Sequence, residues 1–394
     1  MKFPPLPLRT FRLKNFKAVS DSGKIQFTPL TAFIGNNGSG KSSLVEGLEA
    51  LYTIVELGVD TAMQEWHGIE HIHHKGKTQS FWSKPRGKFN GFRPKFSNSL
   101  SFALSGTAFR TPFSATLKIN ASANYDQIFI EQEKINMPDR YIGTRNSAGS
   151  IIETTHGFEV NDKFTDDKSI LTDPLGSYFA KWQFVSFSPQ QMGNAILQKR
   201  TGGEVRLAKD GTNIAQYLWS IYSLDQNAFQ GILETLQFIL PYANDLQFTL
   251  TSEIERAIYL QMSEEGKSSN KIPGWLLSTG TLRLVALLAL LRHPKPPSLL
   301  VIEEIENGLD PRTISLIVDE IRNAVESGQT QVIITTHSPY LLDLLDLSQI
   351  ILVEREAGVP VFSRPANNES LKEWSKKFSP GKLYTMDKLG KANS

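Results

Sequence analysis

Apolar and polar positions along the chain switch between two periods. Thr10–Phe16 and Lys24–Phe27 read as short strands with a turn-like Ser20–Gly23 between them. Leu30-Thr31-Ala32-Phe33-Ile34 is a nearly unbroken apolar run ending at Gly35, the pattern of a strand covered on both faces. From about Ser42, residues Leu44, Leu48, Leu51 and Val55 recur at helical spacing, with Gly58 as the stop. Leu100–Ser105, Ser114–Ile119 and Gln127–Glu131 read as strands, Asn146–Asp173 as polar and turn-rich, and Trp182–Phe187 as a further strand. Residues 212–240 carry Ile214, Leu218, Ile221, Phe229, Ile232, Leu233, Leu236 and Ile239 at helical spacing. The last third predicts a helix at 281–291, a Pro-rich loop at 294–297, a strand at 299–302, a helix at 312–327, a strand at 331–335, a helix at 339–345 and a strand at 350–353. Alternating helices and apolar strands imply a parallel α/β sheet, and the antiparallel-looking middle implies a β-subdomain.

Composition narrows the function. The 394 residues hold 42 Lys and Arg against 40 Asp and Glu, a net charge of +2, so a histone-like binder driven by bulk positive charge is excluded. The absence of Cys removes disulfides, thiolate zinc sites and a Cys nucleophile, and fits a reducing compartment. The longest apolar run, Leu284–Leu291 between Arg283 and Arg292, is too short for ~30 Å of hydrocarbon. Met1-Lys2-Phe3-Pro4-Pro5 has no signal-peptide core. The expectation is a soluble, cytoplasmic protein with no membrane partner.

Gly35-Asn36-Asn37-Gly38-Ser39-Gly40-Lys41-Ser42 matches the phosphate-loop pattern, and Ser43 follows it. Glycines let the backbone wrap until its N–H groups point at phosphate oxygens, and the next helix offers its positive end to the same anion. Lys41 would reach the β- and γ-phosphates and the Ser42 hydroxyl would ligate Mg²⁺. Leu299-Leu300-Val301-Ile302-Glu303-Glu304 is an apolar strand ending in two acids; Glu303 stands where a second Mg²⁺-organising acid is expected, and Glu304 would orient and deprotonate the attacking water. His337, 33 residues beyond Glu304 and at the end of another apolar strand, could hydrogen-bond a γ-phosphate. Ser278 and Gly280 open the apolar helix 26 residues before Glu304, either as a second anion-binding helix end or as a plain N-cap; their place upstream of the acidic strand favours the first.

In this order the motifs resemble the heads of ABC-type ATPases. The strings LLSTGTLRLVALLALL, LLVIEEIENGLDP and VIITTHSPYLLD, with the opening FRLKNFKAV…LTAFIGNNGSGKSSL and the segment KDGTNIAQYL, resemble the RecF/OLD-like branch of AAA-family ATPases. Ile305 and Asp310 stand where that branch usually has Pro and His. The resemblance implies an α/β P-loop fold of ABC-ATPase type: a mixed or parallel sheet flanked by helices, an antiparallel β-subdomain and a small helical insertion. It implies lobe I over residues 1–180, a linking helical region over 181–270 and lobe II over 271–394. It further implies a homodimer or higher homo-oligomer sandwiching two ATP molecules. Each nucleotide is then held by Gly35–Ser43 of one copy and by Ser278 and Gly280 of the other, with Glu306–Asp310 coupling the two sites. Gln190 and Gln191 are the candidates for the glutamine that such heads place near Mg²⁺.

No heptads of an SMC-type coiled coil are present, and the 57 residues after His337 leave no room for a TOPRIM nuclease, so nuclease action would come from a separate effector. Lys75–Phe96 mixes Lys and Arg with five aromatic residues and contains no acid up to Lys95; it either contacts nucleic acid or packs its rings on the β-subdomain. His67, His71, His73 and His74 have only Glu65 and Glu70 near them, a poor metal set. The basic Lys372–Lys391 stretch reads as a packed tail. The expected function is an ATP-hydrolysing switch that controls a partner in anti-phage defence or DNA repair. The alternatives are an ATP-bound scaffold with little turnover and, lacking a coupling surface, a transporter motor.

Overall fold

The computed structural model describes residues 5–74, 98–122, 127–146, 149–154, 157–161, 168–198, 204–252, 255–264 and 271–390. The chain divides into two compact units. Unit 1 holds Met1–Thr28, Phe33–Trp182 and Ile351–Arg364; unit 2 holds Pro29–Ala32, Gln183–Ile350 and Pro365–Ser394.

Unit 1 is built on a nine-stranded sheet. Its order is Gly157–Asn161, Gly149–Thr154, Tyr141–Asn146, Ile128–Met137, Thr111–Ala121, Leu100–Ala108, Leu8–Phe16 and Val19–Asp21, with Ile25–Gln26 also pairing Leu8–Phe16. The pairings are antiparallel, and strict alternation along Leu100–Ala108 turns Leu100, Phe102 and Leu104 inward. The helix Lys41–Leu57 buries Leu44, Leu48, Leu51 and Val55, the stripe its periodicity predicts. Gly47 brings that helix close to Leu8–Phe16, since a Cβ there would stand 2.3 Å from Leu13 Cδ2. Within the sheet's covered side, the Glu133 carboxylate accepts from Ser169 Oγ and from Ile170 N–H at 3.1 Å, with Arg145 Nη1 3.6 Å away. Burial pushes its pKa up. A hairpin, Ile350–Glu356 antiparallel to Val359–Ser363, completes the unit alongside the end of strand Leu30–Ile34.

Unit 2 holds parallel strands. Leu299–Ile302 runs beside Gln331–Thr336 in the register Leu299↔Gln331 to Ile302↔Ile334, and both are buried on every residue. Glu303 N–H reaches Val185 O at 3.0 Å and Val332 N–H reaches Pro29 O at 2.9 Å, which seats the end of Trp182–Val185 and the start of Leu30–Ile34 on either side. The helix Thr279–Leu291 is buried on all residues from Thr281 to Leu291, as expected of a helix apolar on every face. Pro311–Glu326 packs nearby, and Arg292 Nε meets Glu320 Oε2 at 2.7 Å. A small antiparallel sheet of Ile196–Leu197, Ala257–Glu264 and Ala243–Leu250, with Lys271–Pro273, lies with helices Ile214–Leu224 and Gln226–Ile239 in the same unit.

Several sequence expectations need correction. The turn-like Ser20–Gly23 holds part of a strand, Val19–Asp21, whose Asp21 is tied by ion pairs to Arg12 and Lys14 at 2.6 and 3.2 Å. The polar Asn146–Asp173 stretch contains the strands Gly149–Thr154 and Gly157–Asn161. The strand expected at Trp182–Phe187 ends at Val185, and the one expected at Gln127–Glu131 runs over Ile128–Met137. The C-terminal stretch is packed, with Leu371, Leu383 and Leu389 buried and Gly381 N–H on Asp343 Oδ1 at 2.6 Å. Lys75–Phe96 lies outside the described residues.

Candidate functional site

The candidate residues that the sequence singles out fall into two groups, one in each unit. In unit 1, the buried strand Leu30–Ile34 delivers Gly35, and the loop turns into the helix Lys41–Leu57 at Gly40, whose φ of 115° is a left-handed conformation that glycine adopts without strain. Two packing contacts require glycine as well. A Cβ on Gly35 would lie 2.1 Å from Val353 O, and one on Gly40 would lie 2.5 Å from Pro360 Cγ. Arg355 Nε donates to Gly38 O at 2.7 Å, so the hairpin Ile350–Ser363 braces the loop at three points.

The helix starts with no side-chain cap and no acid in its first turn. Its first N–H groups and dipole are left for an anion. Lys41 is 5% exposed, and its Nζ donates to Gly35 O at 2.6 Å and to Asn36 O at 3.1 Å, so the ammonium rests on the loop's own carbonyls. Ser39 Oγ is buried without a hydrogen-bond partner among the described residues. Asn36, Asn37 and Gly38 are exposed, as is Ser42 on the first turn, with Ser43 half-buried beside it. An uncapped helix end, an adjacent ammonium, an unpaired hydroxyl and an exposed serine fit a polyphosphate with its cation.

In unit 2, the strand Leu299–Ile302 ends at half-buried Glu303 and exposed Glu304. Glu304 has φ 47°, left-handed backbone that costs a non-glycine residue about 1–2 kcal/mol. Three contacts hold it there. Its N–H donates to Thr335 Oγ1 at 2.9 Å, its carbonyl accepts from Arg283 Nη2 at 2.8 Å, and its carboxylate accepts from Asn307 Nδ2. A hydrogen bond to a charged group contributes about 1.5–3 kcal/mol, enough to outweigh the strain. His337 Nε2 lies 3.7 Å from Glu304 Oε1, and His337 N–H donates to Glu306 Oε1. The structure therefore gathers Glu304, His337 and the 306–310 loop at the ends of two parallel strands.

The helix tip that carries Ser278 and Gly280 packs on that same loop. A Cβ on Gly280 would stand 2.4 Å from Gly308 O. Ser278, exposed, accepts from Thr281 N–H at 3.0 Å and is a true N-cap, and its hydroxyl also meets Thr281 Oγ1 at 2.8 Å. Asp310 has a local duty too: Oδ1 accepts from Arg312 N–H at 3.0 Å and Thr313 N–H at 3.1 Å, capping Pro311–Glu326. The Thr313 side chain, followed by these backbone donors, holds its pKa below the ordinary value. Gln190 and Gln191 are exposed on the short helix Pro189–Met192.

Thr335, Arg283 and Arg355 carry contacts that sequence reading did not assign. Arg283 appeared only as the flank of an apolar run; an Arg inside a helix buried all round was the available signal. Among the described residues no group of three or more His, Asp and Glu is placed to hold a metal. His73 Nε2 is 2.7 Å from Asn98 O and His74 Nδ1 is 2.8 Å from Lys17 O, so two of the four clustered histidines serve local hydrogen bonds. Among the same residues no helix is long and apolar enough to cross a membrane.

A family model described as "AAA domain, putative AbiEii toxin, Type IV TA system" matches residues 30–343. No curated protein matches the chain. Among solved structures, an Smc head bound to the C-winged helix domain of ScpA is 16% identical, with 90% of this chain and 96% of that one covered at a TM-score of 0.50. The SMC head domain from Thermotoga maritima is 15% identical over 91% and 98%, with a TM-score of 0.45. An Smc head with an extended coiled coil from Pyrococcus furiosus, bound to the C-terminal domain of ScpA, is 14% identical over 95% and 100%, with a TM-score of 0.46. The fold is that of a P-loop NTPase of ABC-ATPase type.

Proposed function

The chain belongs to this AAA-domain family, and from that membership we propose that it is an ATP-hydrolysing switch of the RecF/OLD-like branch. Lys41 and the N–H groups of Gly38–Ser42 bind the phosphates, with Gly35, Asn36, Asn37 and Ser43 shaping the cradle. Ser42 and Glu303 are the residues that would hold Mg²⁺, which when bound would neutralise phosphate charge. Glu304 accepts a proton from the attacking water, and His337 hydrogen-bonds the γ-phosphate. Ser278, Gly280 and the Asp310 loop of a second copy close the site, so that two copies pair on ATP and separate after hydrolysis. Lobe I spans 1–180, the linking region 181–270 and lobe II 271–394. The paired state controls a separate effector, such as a nuclease, in the cytoplasm, in anti-phage defence or DNA repair, with Lys75–Phe96 as the DNA contact.

One observation carries this reading: Glu304 is held in a strained backbone conformation with its carboxylate near His337, the kind of preorganisation found at reacting centres. The test is Glu304→Gln. Wild type should release phosphate and cycle between single and paired states, whereas the variant should bind ATP, stop turning over and stay paired in gel filtration. Identical phosphate release and elution for the two proteins would refute the switch. A second reading, an ATP-bound scaffold with little turnover, draws on the Asn307 side chain already bonded to the Glu304 carboxylate. Wild type that pairs on ATP without phosphate release would favour it.

A further inference from the structure

Arg283 is placed at a cost that nothing in the proposed chemistry explains. It is 5% exposed inside a helix whose other buried positions, Thr281 apart, are apolar. Its Nε finds no hydrogen-bond partner among the described residues, and burial pulls its pKa down against the attraction of Glu304 and Glu306. Its guanidinium carbon lies 5.7 Å from the centre of the Phe187 ring. Its Nη2 donates to the carbonyl of Glu304, the residue with left-handed backbone. A Cβ on Gly308 would lie 3.7 Å from Arg283 Cδ and 3.6 Å from Thr279 Oγ1, so the arginine stem and the helix tip both touch the 306–310 loop.

We propose that Arg283 is a positioning residue that locks the Ser278–Gly280 helix tip to Glu304 of the same chain, so that engagement of the tip sets the attitude of that chain's own general base. This rests on the switch reading above. Three elements form one block: the tip seated on Gly308 O, the loop tied by Asn307 N–H to Glu304 O at 3.0 Å and Leu309 N–H to Glu306 O at 3.0 Å, and Glu304 gripped by Arg283 and Thr335. A tip that docks on the nucleotide of a second copy therefore orders the Glu304 that serves its own nucleotide. The two ATP sites of a pair are then positively coupled, and the coupling runs through Arg283 rather than through the nucleotide.

The test is Arg283→Met in the full chain, a variant that keeps the stem and removes the grip, with Arg283→Lys as the conservative partner. The first readout needs no turnover. Hydrogen–deuterium exchange of the 303–309 backbone should rise on the order of 10-fold or more in Arg283→Met, rise less in Arg283→Lys, and stay at the wild-type level in Lys41→Ala. In steady-state phosphate release, kcat should fall on the order of 10- to 100-fold, the loss expected when a reacting group is misplaced by about an ångström. The Hill coefficient for ATP should fall to about 1 while ATP affinity by calorimetry is unchanged. Unaltered exchange over 303–309 overturns the proposal whether or not the protein hydrolyses ATP. So does an exchange increase spread over all of unit 2, which marks a merely structural arginine. A wild type without phosphate release, accompanied by the predicted local exchange change, would sink the switch reading and leave Arg283 as the tether of Glu304.

Discussion

Replacing Gly280 by Ala sets two effects of opposite sign against each other. Gly280 is the second residue of Thr279–Leu291, and in a helix Ala is favoured over Gly by about 0.8–1.0 kcal/mol. Propensity alone thus predicts stabilisation. The structure predicts the reverse, because the new Cβ would lie 2.4 Å from Gly308 O. Carbon and carbonyl oxygen approach to about 3.3 Å even in favourable contacts, so one backbone segment must retreat by about 1 Å. The obstacle is a main-chain carbonyl in a loop fixed by its own hydrogen bonds, not the end of a flexible side chain. Added atoms in a packed site cost about 1–3 kcal/mol, and a rigid obstacle places the cost near the top of that range. The net loss is about 2 kcal/mol. In a unit of about 200 residues, 1 kcal/mol moves Tm by about 2–4 °C, so the unit 2 transition in scanning calorimetry should fall by about 4–8 °C. A Gly280→Ala protein that melts at or above wild type would refute the reasoning, and with it the claim that the helix tip rests on the loop.

Two further outcomes follow from the same geometry. Lys41→Ala removes the ammonium now resting on Gly35 O and Asn36 O and should abolish ATP binding; unchanged affinity by calorimetry would overturn the loop assignment. Asp310→Ala should destabilise Pro311–Glu326 by about 1 kcal/mol while Asp310→Asn keeps the cap, and thermal melts of the two distinguish them. Because the folded state holds the Asp310 pKa below its ordinary 3.8, the wild-type contribution is fully present above that pH and is lost as pH falls through the lowered value. A wild-type advantage over Asp310→Ala that grows below pH 3.8 would contradict this sign.

The elements legible in the sequence are those whose burial is one-sided or total. Leu30–Ile34, Leu299–Ile302 and Gln331–Thr336 are covered on both faces and read as apolar runs, and the stripe of Lys41–Leu57 has one period throughout. Val19–Asp21 is hidden because its Asp21 is satisfied by Arg12 and Lys14 on the neighbouring strand, which no local pattern reveals. Gly149–Thr154 and Gly157–Asn161 pair antiparallel with each other, and their short, partly polar composition resembles a loop. In the site, phosphate-loop glycines announce themselves because close packing and left-handed φ exclude other residues. The left-handed φ of Glu304 has no such signature: it is imposed by Thr335 and Arg283, 31 and 21 residues away. The seating of Gly280 on Gly308 is likewise a tertiary fact, invisible at a separation of 28 residues.

The central claim is that ATP is closed between the phosphate loop of one copy and the Ser278 helix tip of another. Ser278 is exposed, and a long cation there fills the proposed contact while leaving Lys41 and its loop untouched. The decisive measurement is the mass of Glu304→Gln with and without Ser278→Arg, by light scattering in saturating ATP and Mg²⁺, alongside ATP binding by calorimetry. The account predicts that the single variant pairs and the double variant binds ATP equally well but stays single. A double variant that still pairs on ATP would contradict it.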